Sequence, residues 1–278
     1  MRANPASRNS LTPPMVLSFL LLSFLALPFL LPLFWMGVTA FRPPAELYQA
    51  PFRWLPAQLT LDNFTQAWGL LDFPRFVTNS FVVAGLTAAG TALSSSLVGF
   101  AFARVPARGK ELLFIVMLST VLVPPTVLLL PQFVLFSRLG WVNTFLPLIV
   151  PAFFSNAFYV FLFRQFFRSL PNDIFESAEM DGCNPLRAFL QIALPLARPA
   201  LAAVVVFSFI GSWNDFLGPL VYLSSPSRFT LSLGLSMFEG LYATDIHYLM
   251  PMSLVAILPV AAIFILLQRF FEKDLLSA

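Results

Sequence analysis

Charged side chains are scarce in this sequence. Asp, Glu, Lys and Arg make up 10% of its 278 residues, against 58% hydrophobic ones, and the mean hydropathy is +0.82. A chain of this composition cannot hide its apolar side chains in one water-soluble core, which excludes an ordinary soluble domain and places it in a bilayer. Cysteine is limited to Cys183 and histidine to His247. A single thiol excludes an internal disulfide and cannot make a metal site, and a lone His at a loop edge reads as a solvated side chain. Catalytic motifs are missing too. Gly109-Lys110 is followed by Glu111 and lacks a Gly five residues upstream, so it cannot form a phosphate-cradling loop, and there is no HExxH, no GxSxG and no cluster of His with acids. No nucleotide site, bound cofactor or enzymatic centre is expected in this chain.

Long apolar runs are abundant. A hydrocarbon core about 30 Å thick takes roughly 20 helical residues to cross. Six segments qualify: Pro14 to Thr39, Val77 to Ala103, Leu112 to Phe136, Phe145 to Phe163, Leu194 to Leu223, and Leu249 to Leu267. Lipid cannot satisfy a free backbone amide, and these runs are too long for barrel strands, so the expected fold is an all-α integral membrane bundle. The first run is longer than the apolar core of a secretory signal and has no small-x-small site before Arg42, so it is expected to be retained. Two divisions are expected: residues 1–76, a helix with an outer loop, and residues 77–278, a five-helix core. The outer loop, Phe41 to Phe76, holds Pro43, Pro44, Pro51, Pro56 and Pro74 and is expected to be ordered but irregular.

Basic residues orient the bundle. With both termini cytoplasmic, Arg42, Arg53, Arg75, Arg138 and Arg228 are the only Lys or Arg outside, and all the others fall inside. This bias, with lipid as the neighbour, explains a net charge of +3 and a pI near 9.4 without nucleic acid. Ala84, Ala88 and Ala92, beside Gly85 and Ala89, let a neighbouring backbone approach closely. Pro124, Pro125 and Pro131, then Pro147 and Pro151, remove amide donors and bend or interrupt two of the segments.

The longest cytoplasmic loop lies between the fourth and fifth segments. Asp173 and Glu176 have the spacing of an N-terminal capping pair, Gly182 is placed to end the helix, and Asn184-Pro185 reads as the cap and first turn of the next. A helix on anionic lipid is usually rich in Lys and Arg. This one carries Asp173, Glu176, Glu179 and Asp181, so it suits a groove on another protein.

Glu176-Ser177-Ala178-Glu179-Met180-Asp181-Gly182, with Phe189, Ile192 and Leu194-Pro195-Leu196, resembles the EAA loop of ATP-binding-cassette importer permeases. Arg164-Gln165-Phe166-Phe167, Trp213-Asn214-Asp215-Phe216, Gln268-Arg269-Phe270-Phe271, Asn79-Ser80 and Ala101-Phe102-Ala103-Arg104 narrow the likeness to the carbohydrate-uptake class, maltose-type second subunit. The resemblance implies a coupling helix that docks on cassette ATPase subunits through Glu176, Ser177, Ala178, Glu179, Asp181, Gly182, Cys183, Leu194 and Pro195. It also implies a second permease subunit, an extracytoplasmic solute-binding protein, a bacterial inner membrane, and ATP with Mg held by the partner. Ser177 and Cys183 depart from the family pattern but are small, as the usual residues are. The Gly-rich tail of the family is not seen after Asp274, which puts a tail contact with the ATPase in doubt.

Asp215 is the one acid inside an apolar segment, beside Trp213 and Asn214, so it reads as path-lining by default, with Asn156 and Asn79 as further candidates. The competing reading makes these side chains helix caps or cross-links. An ion-coupled secondary transporter is the alternative from another class, and it would need more mid-membrane ionisable residues than Asp215. The segment from Ser224 to His247 is expected to be an exposed outer loop touching the binding protein.

Overall fold

The computed structural model describes residues 13–47, 53–241 and 245–275, with side chains described from 16 and up to 238 and 266 at the respective chain ends. The sequence-expected motif Gln268 to Phe271, the residues after Leu275, and Glu239 and Gly240 of the outer segment lie outside the described side chains. Helices α1 Pro13–Ala40, α2 Pro44–Leu47, α3 Asp62–Leu70, α4 Phe73–Arg104, α5 Lys110–Ser119, α6 Pro125–Arg138, α7 Leu146–Ile149 and α8 Ala157–Ser169 form the first part of the chain. They are followed by α9 Asn172–Met180, α10 Pro185–Ala188, α11 Leu194–Leu196, α12 Arg198–Trp213, α13 Leu217–Tyr222, α14 Leu231–Leu241 and α15 Ile246–Leu275. No strand occurs among the described residues.

Among the described residues, four helical stretches are long and apolar enough to cross a membrane, and six if two bent pairs each count as one span. The third and fifth expected segments are not straight helices. The third breaks between α5 and α6 with a bend of 98°, at Pro124-Pro125, where two successive amides are missing. The fifth bends by 79° at Ala197, between Pro195 and Pro199, and stops at Trp213. The chain then opens before α13, so Asp215 sits in a helix break, not inside a continuous span. A carboxylate in such a break can accept from the freed amides, and Asp215 Oδ1 takes Gly218 N at 3.1 Å.

The chain forms two compact units, Met1–Ala67 with Thr244–Leu254, and Trp68–Ala243 with Val255–Ala278. In the first unit the outer loop is more regular than expected, since it contains α2 and the start of α3. Asn63 explains why: its Nδ2 donates to Ala40 O at 2.9 Å and Arg42 O at 2.8 Å, closing the loop onto the end of α1. Arg42 is buried and donates to Arg53 O at 2.7 Å. From Val16 to Phe34, α1 has no residue buried against this chain, so lipid or another subunit must cover its apolar surface.

In the second unit α4 is central, packed by α8, α12 and α14. Ala84, Ala88 and Ala92 are buried on it. At Gly99 the approach is to backbone as well as side chain: a Cβ there would lie 2.6 Å from Phe163 Cβ and 3.1 Å from both Arg164 N and Val160 O. Gly85, by contrast, has open space beside it. Phe100, Phe163, Phe167 and Phe189 form the core below this crossing. The outer segment differs from expectation: α14 buries Leu231, Leu233 and Phe238, and among the described residues the exposed loop there is Ser224 with the turn at Pro226–Arg228.

Candidate functional site

The loop between α8 and α12 is built as a braced helix. Asp173 is not its cap. Pro171 holds the N-cap position in extended geometry, so Asp173 falls in the first turn, where its charge opposes the positive end of the helix dipole without a cap hydrogen bond. At the other end Gly182 adopts φ +77°, Gly182 N donates to Glu179 O and Cys183 N to Ala178 O, each at 2.9 Å. This pair is a Schellman closure, which needs a left-handed residue at Gly182. Asn184 Oδ1 then accepts Arg187 N at 2.8 Å with Pro185 following, and the chain runs through a π turn, Phe189–Ala193, into Leu194 and Pro195. Pro195 has no amide to donate, and the wider turn just before it accommodates the gap.

Side chains on α9 divide by face. Phe175 and Ala178 are half-buried, whereas Glu176, Ser177, Glu179, Met180 and Asp181 are exposed, Met180 at 89%. Phe175, Glu179 and Cys183 share a small cavity of about 150 Å³ with Phe100 and Arg104. Leu194 is half-buried and Pro195 exposed, two helical pieces further on.

The brace is Arg104, which the sequence shows only as the end of a motif. Its Nε and Nη2 donate to Phe167 O at 3.0 and 2.6 Å, Nη2 also reaches Leu170 O at 2.5 Å, and Nη1 bonds Asn172 Oδ1. The guanidinium carbon lies 4.5 Å from the centre of the Phe175 ring. A cation thus satisfies the orphan carbonyls at the end of α8, holds the first residue of α9 and stacks on its inner face. One turn away, Arg164 is buried and its Nη2 contacts both carboxylate oxygens of Glu111 at 2.8 and 2.7 Å, over the ring of Phe114, pinning α8 to α5.

Residues expected along a path separate in the structure. Trp213 is buried, stacks on Phe209, and donates Nε1 to Ala256 O at 3.1 Å, so it cross-links helices. Asn79 Nδ2 donates to Ser227 O and Phe229 O at 3.1 and 2.9 Å, which also makes it a cross-link. Asn214 is exposed at the end of α12. Asn156 caps α8, accepting Phe158 N at 3.0 Å, and still lines a cleft of about 690 Å³ together with Asp215. Gln132 and Tyr222 line the same cleft and were not expected, because each lies in an apolar run with no motif around it.

Comparison with known proteins agrees with this architecture. Residues 95–275 match the model of the binding-protein-dependent transport system inner membrane component family. The arabinooligosaccharides transport system permease protein AraQ of Bacillus subtilis is 34% identical over 94% of this chain and 92% of its own. The diacetylchitobiose uptake system permease protein NgcG of Streptomyces coelicolor is 31% identical over 86% of this chain and 80% of its own. A crystal structure of a bacterial ABC transporter involved in the import of the acidic polysaccharide alginate has a chain with the same fold, with TM-score 0.81 and 21% identity, covering 96% of this chain and 100% of that one. With its apolar spans, its braced loop helix and these relatives, the chain belongs to the binding-protein-dependent transport system inner membrane components, as a multi-pass membrane protein.

Proposed function

We infer that this chain is the permease subunit of an ATP-driven importer for a carbohydrate. The full-length relatives named for saccharide transport support the solute class, and family membership favours this reading over an ion-coupled transporter. The observation that carries the mechanism is α9 itself, a helix braced by Arg104 and closed at Gly182 whose outer face, Met180 above all, nothing among the described residues covers.

In this reading both termini and α9 are cytoplasmic. Glu176, Ser177, Ala178, Glu179, Asp181, Gly182 and Cys183, followed by Leu194 and Pro195, form the surface that seats in a cassette ATPase subunit, which binds ATP and Mg. Closure of an ATPase pair pushes on α9. Arg104 transmits the push to the ends of α4 and α8, and the π turn carries it toward α12, so the nucleotide state selects the side to which the path opens. A second permease subunit completes the path as a heterodimer, and the solute-binding protein delivers from outside, against the turn at Pro226–Arg228.

Purification through a tag on this chain under mild extraction, followed by mass spectrometry and reconstitution, tests the reading. A second permease and a cassette ATPase are expected to copurify, and the vesicles to import an arabino-oligosaccharide only with ATP and the binding protein. A chain that comes through alone, where comparable complexes survive, refutes it.

A further inference from the structure

We propose that the cleft lined by α6, α7, α8 and α13 is this subunit's contact site for the transported solute, and that it selects a neutral polyhydroxylated solute over an anionic one. The proposal rests on the importer reading above. It starts from the polar groups the fold leaves unused. Asp215 Oδ1 accepts Gly218 N, but among the described residues Oδ2 has no hydrogen-bond partner. Among the described residues, Asn156 spends Oδ1 on the cap of α8 and its Nδ2 donors make no hydrogen bond, and Gln132 Oε1 accepts from Tyr222 Oη at 3.4 Å while its Nε2 makes none. Gly218 keeps the carboxylate in place, since a Cβ there would lie 2.5 Å from Asp215 Oδ2 and 3.0 Å from a Leu148 methyl.

One acceptor and two amide donors suit hydroxyl groups, which donate to the carboxylate and accept from the amides. The exposed ring of Phe158 on the same lining offers an apolar face for the C–H side of a sugar ring. Charge decides the class. Asp215 is the one ionisable acid among the described lining residues, and that lining holds no Lys, Arg or His. A carboxylate or phosphate brought to about 6 Å from Asp215 is disfavoured about a hundredfold at an effective dielectric near 20, with no cation there to offset it. An acidic saccharide is therefore excluded where a neutral one binds.

The test uses the tagged complex carrying Cys183→Ser and Thr126→Cys, which places the only thiol of this chain at an exposed position of the cleft lining. The rate of labelling by a charged maleimide is measured with arabinotriose or trigalacturonate at equal millimolar concentration. Arabinotriose is expected to slow labelling several-fold and trigalacturonate to leave it unchanged. Asp215→Asn keeps the acceptor for Gly218 N while removing the charge, so in that background trigalacturonate is expected to protect as well. Equal protection by both saccharides with Asp215 present, or by neither, in a complex whose unmodified form imports arabinotriose overturns the cleft assignment. Failure of the unmodified complex to import any saccharide with ATP overturns the importer reading instead.

Discussion

Replacement of Gly182 separates backbone strain from bulk. Gly182 sits at φ +77° with nothing within 4 Å of where a Cβ would stand, so this chain itself has room for a side chain. The intramolecular penalty is conformational: about 1–2 kcal/mol for an ordinary L-residue held left-handed, less for Asn, and more for a β-branched residue. The Schellman bonds to Glu179 O and Ala178 O, 2.9 Å each, depend on that conformation. With only nine residues, α9 cannot persist on its own propensity, so a penalty of this size frees its C-terminal turn in a several-fold larger fraction of molecules. Hydrogen exchange at the amides of Gly182 and Cys183 should quicken in the order Asn, Ala, Val. Imported solute per ATP hydrolysed in the reconstituted complex should fall in the same order, with the complex still assembled. Wild-type exchange and coupling in Gly182→Val, or a larger defect in Gly182→Asn than in Gly182→Ala, would refute the reasoning.

Arg104→Lys keeps the charge but cannot reach three acceptors at once, so it should lose about 2 kcal/mol of bracing, discounted for partial exposure, and lower coupling more than assembly; uptake per ATP against copurified ATPase checks this. Gly99→Ala forces a methyl against Phe163 Cβ and the backbone of α8, none of which can rotate away, and should destabilise by about 1–3 kcal/mol, whereas Gly85→Ala should be neutral; thermal midpoints in detergent distinguish them. Glu111→Gln leaves the buried Arg164 guanidinium without its counter-charge and should destabilise by about 1–3 kcal/mol, read as a lower thermal midpoint in the same way.

Long apolar runs made the spans legible, and Gly182 and Asn184 made the ends of the loop helices legible, because each of these signals lies within one contiguous stretch of sequence. Bends were less so. Pro28 and Pro32 lie inside the unbroken α1, while Pro124-Pro125 turns the chain by 98°; a single Pro can be absorbed by an apolar helix, whereas two in succession remove adjacent amides. Arg104 was invisible as a brace because its acceptors are main-chain carbonyls 63 and 66 residues away, which no local pattern encodes. Trp213 and Asn79 read as path residues from polarity alone, and their hydrogen bonds to Ala256 and Phe229 make them cross-links. Gln132 and Tyr222 joined the cleft only once the break after α12 had brought α13 beside α6.

Met180, the most exposed apolar side chain of α9, gives the most direct test that this helix is where the ATPase pushes. With Met180→Cys in a Cys183→Ser chain, a short cross-linker with one thiol-reactive and one amine-reactive end, applied to the assembled complex, should join this position to the cassette ATPase subunit, with a yield that changes when ATP is added. Cross-linking to lipid alone, or none at all in a complex that retains its ATPase and imports solute, would contradict the account.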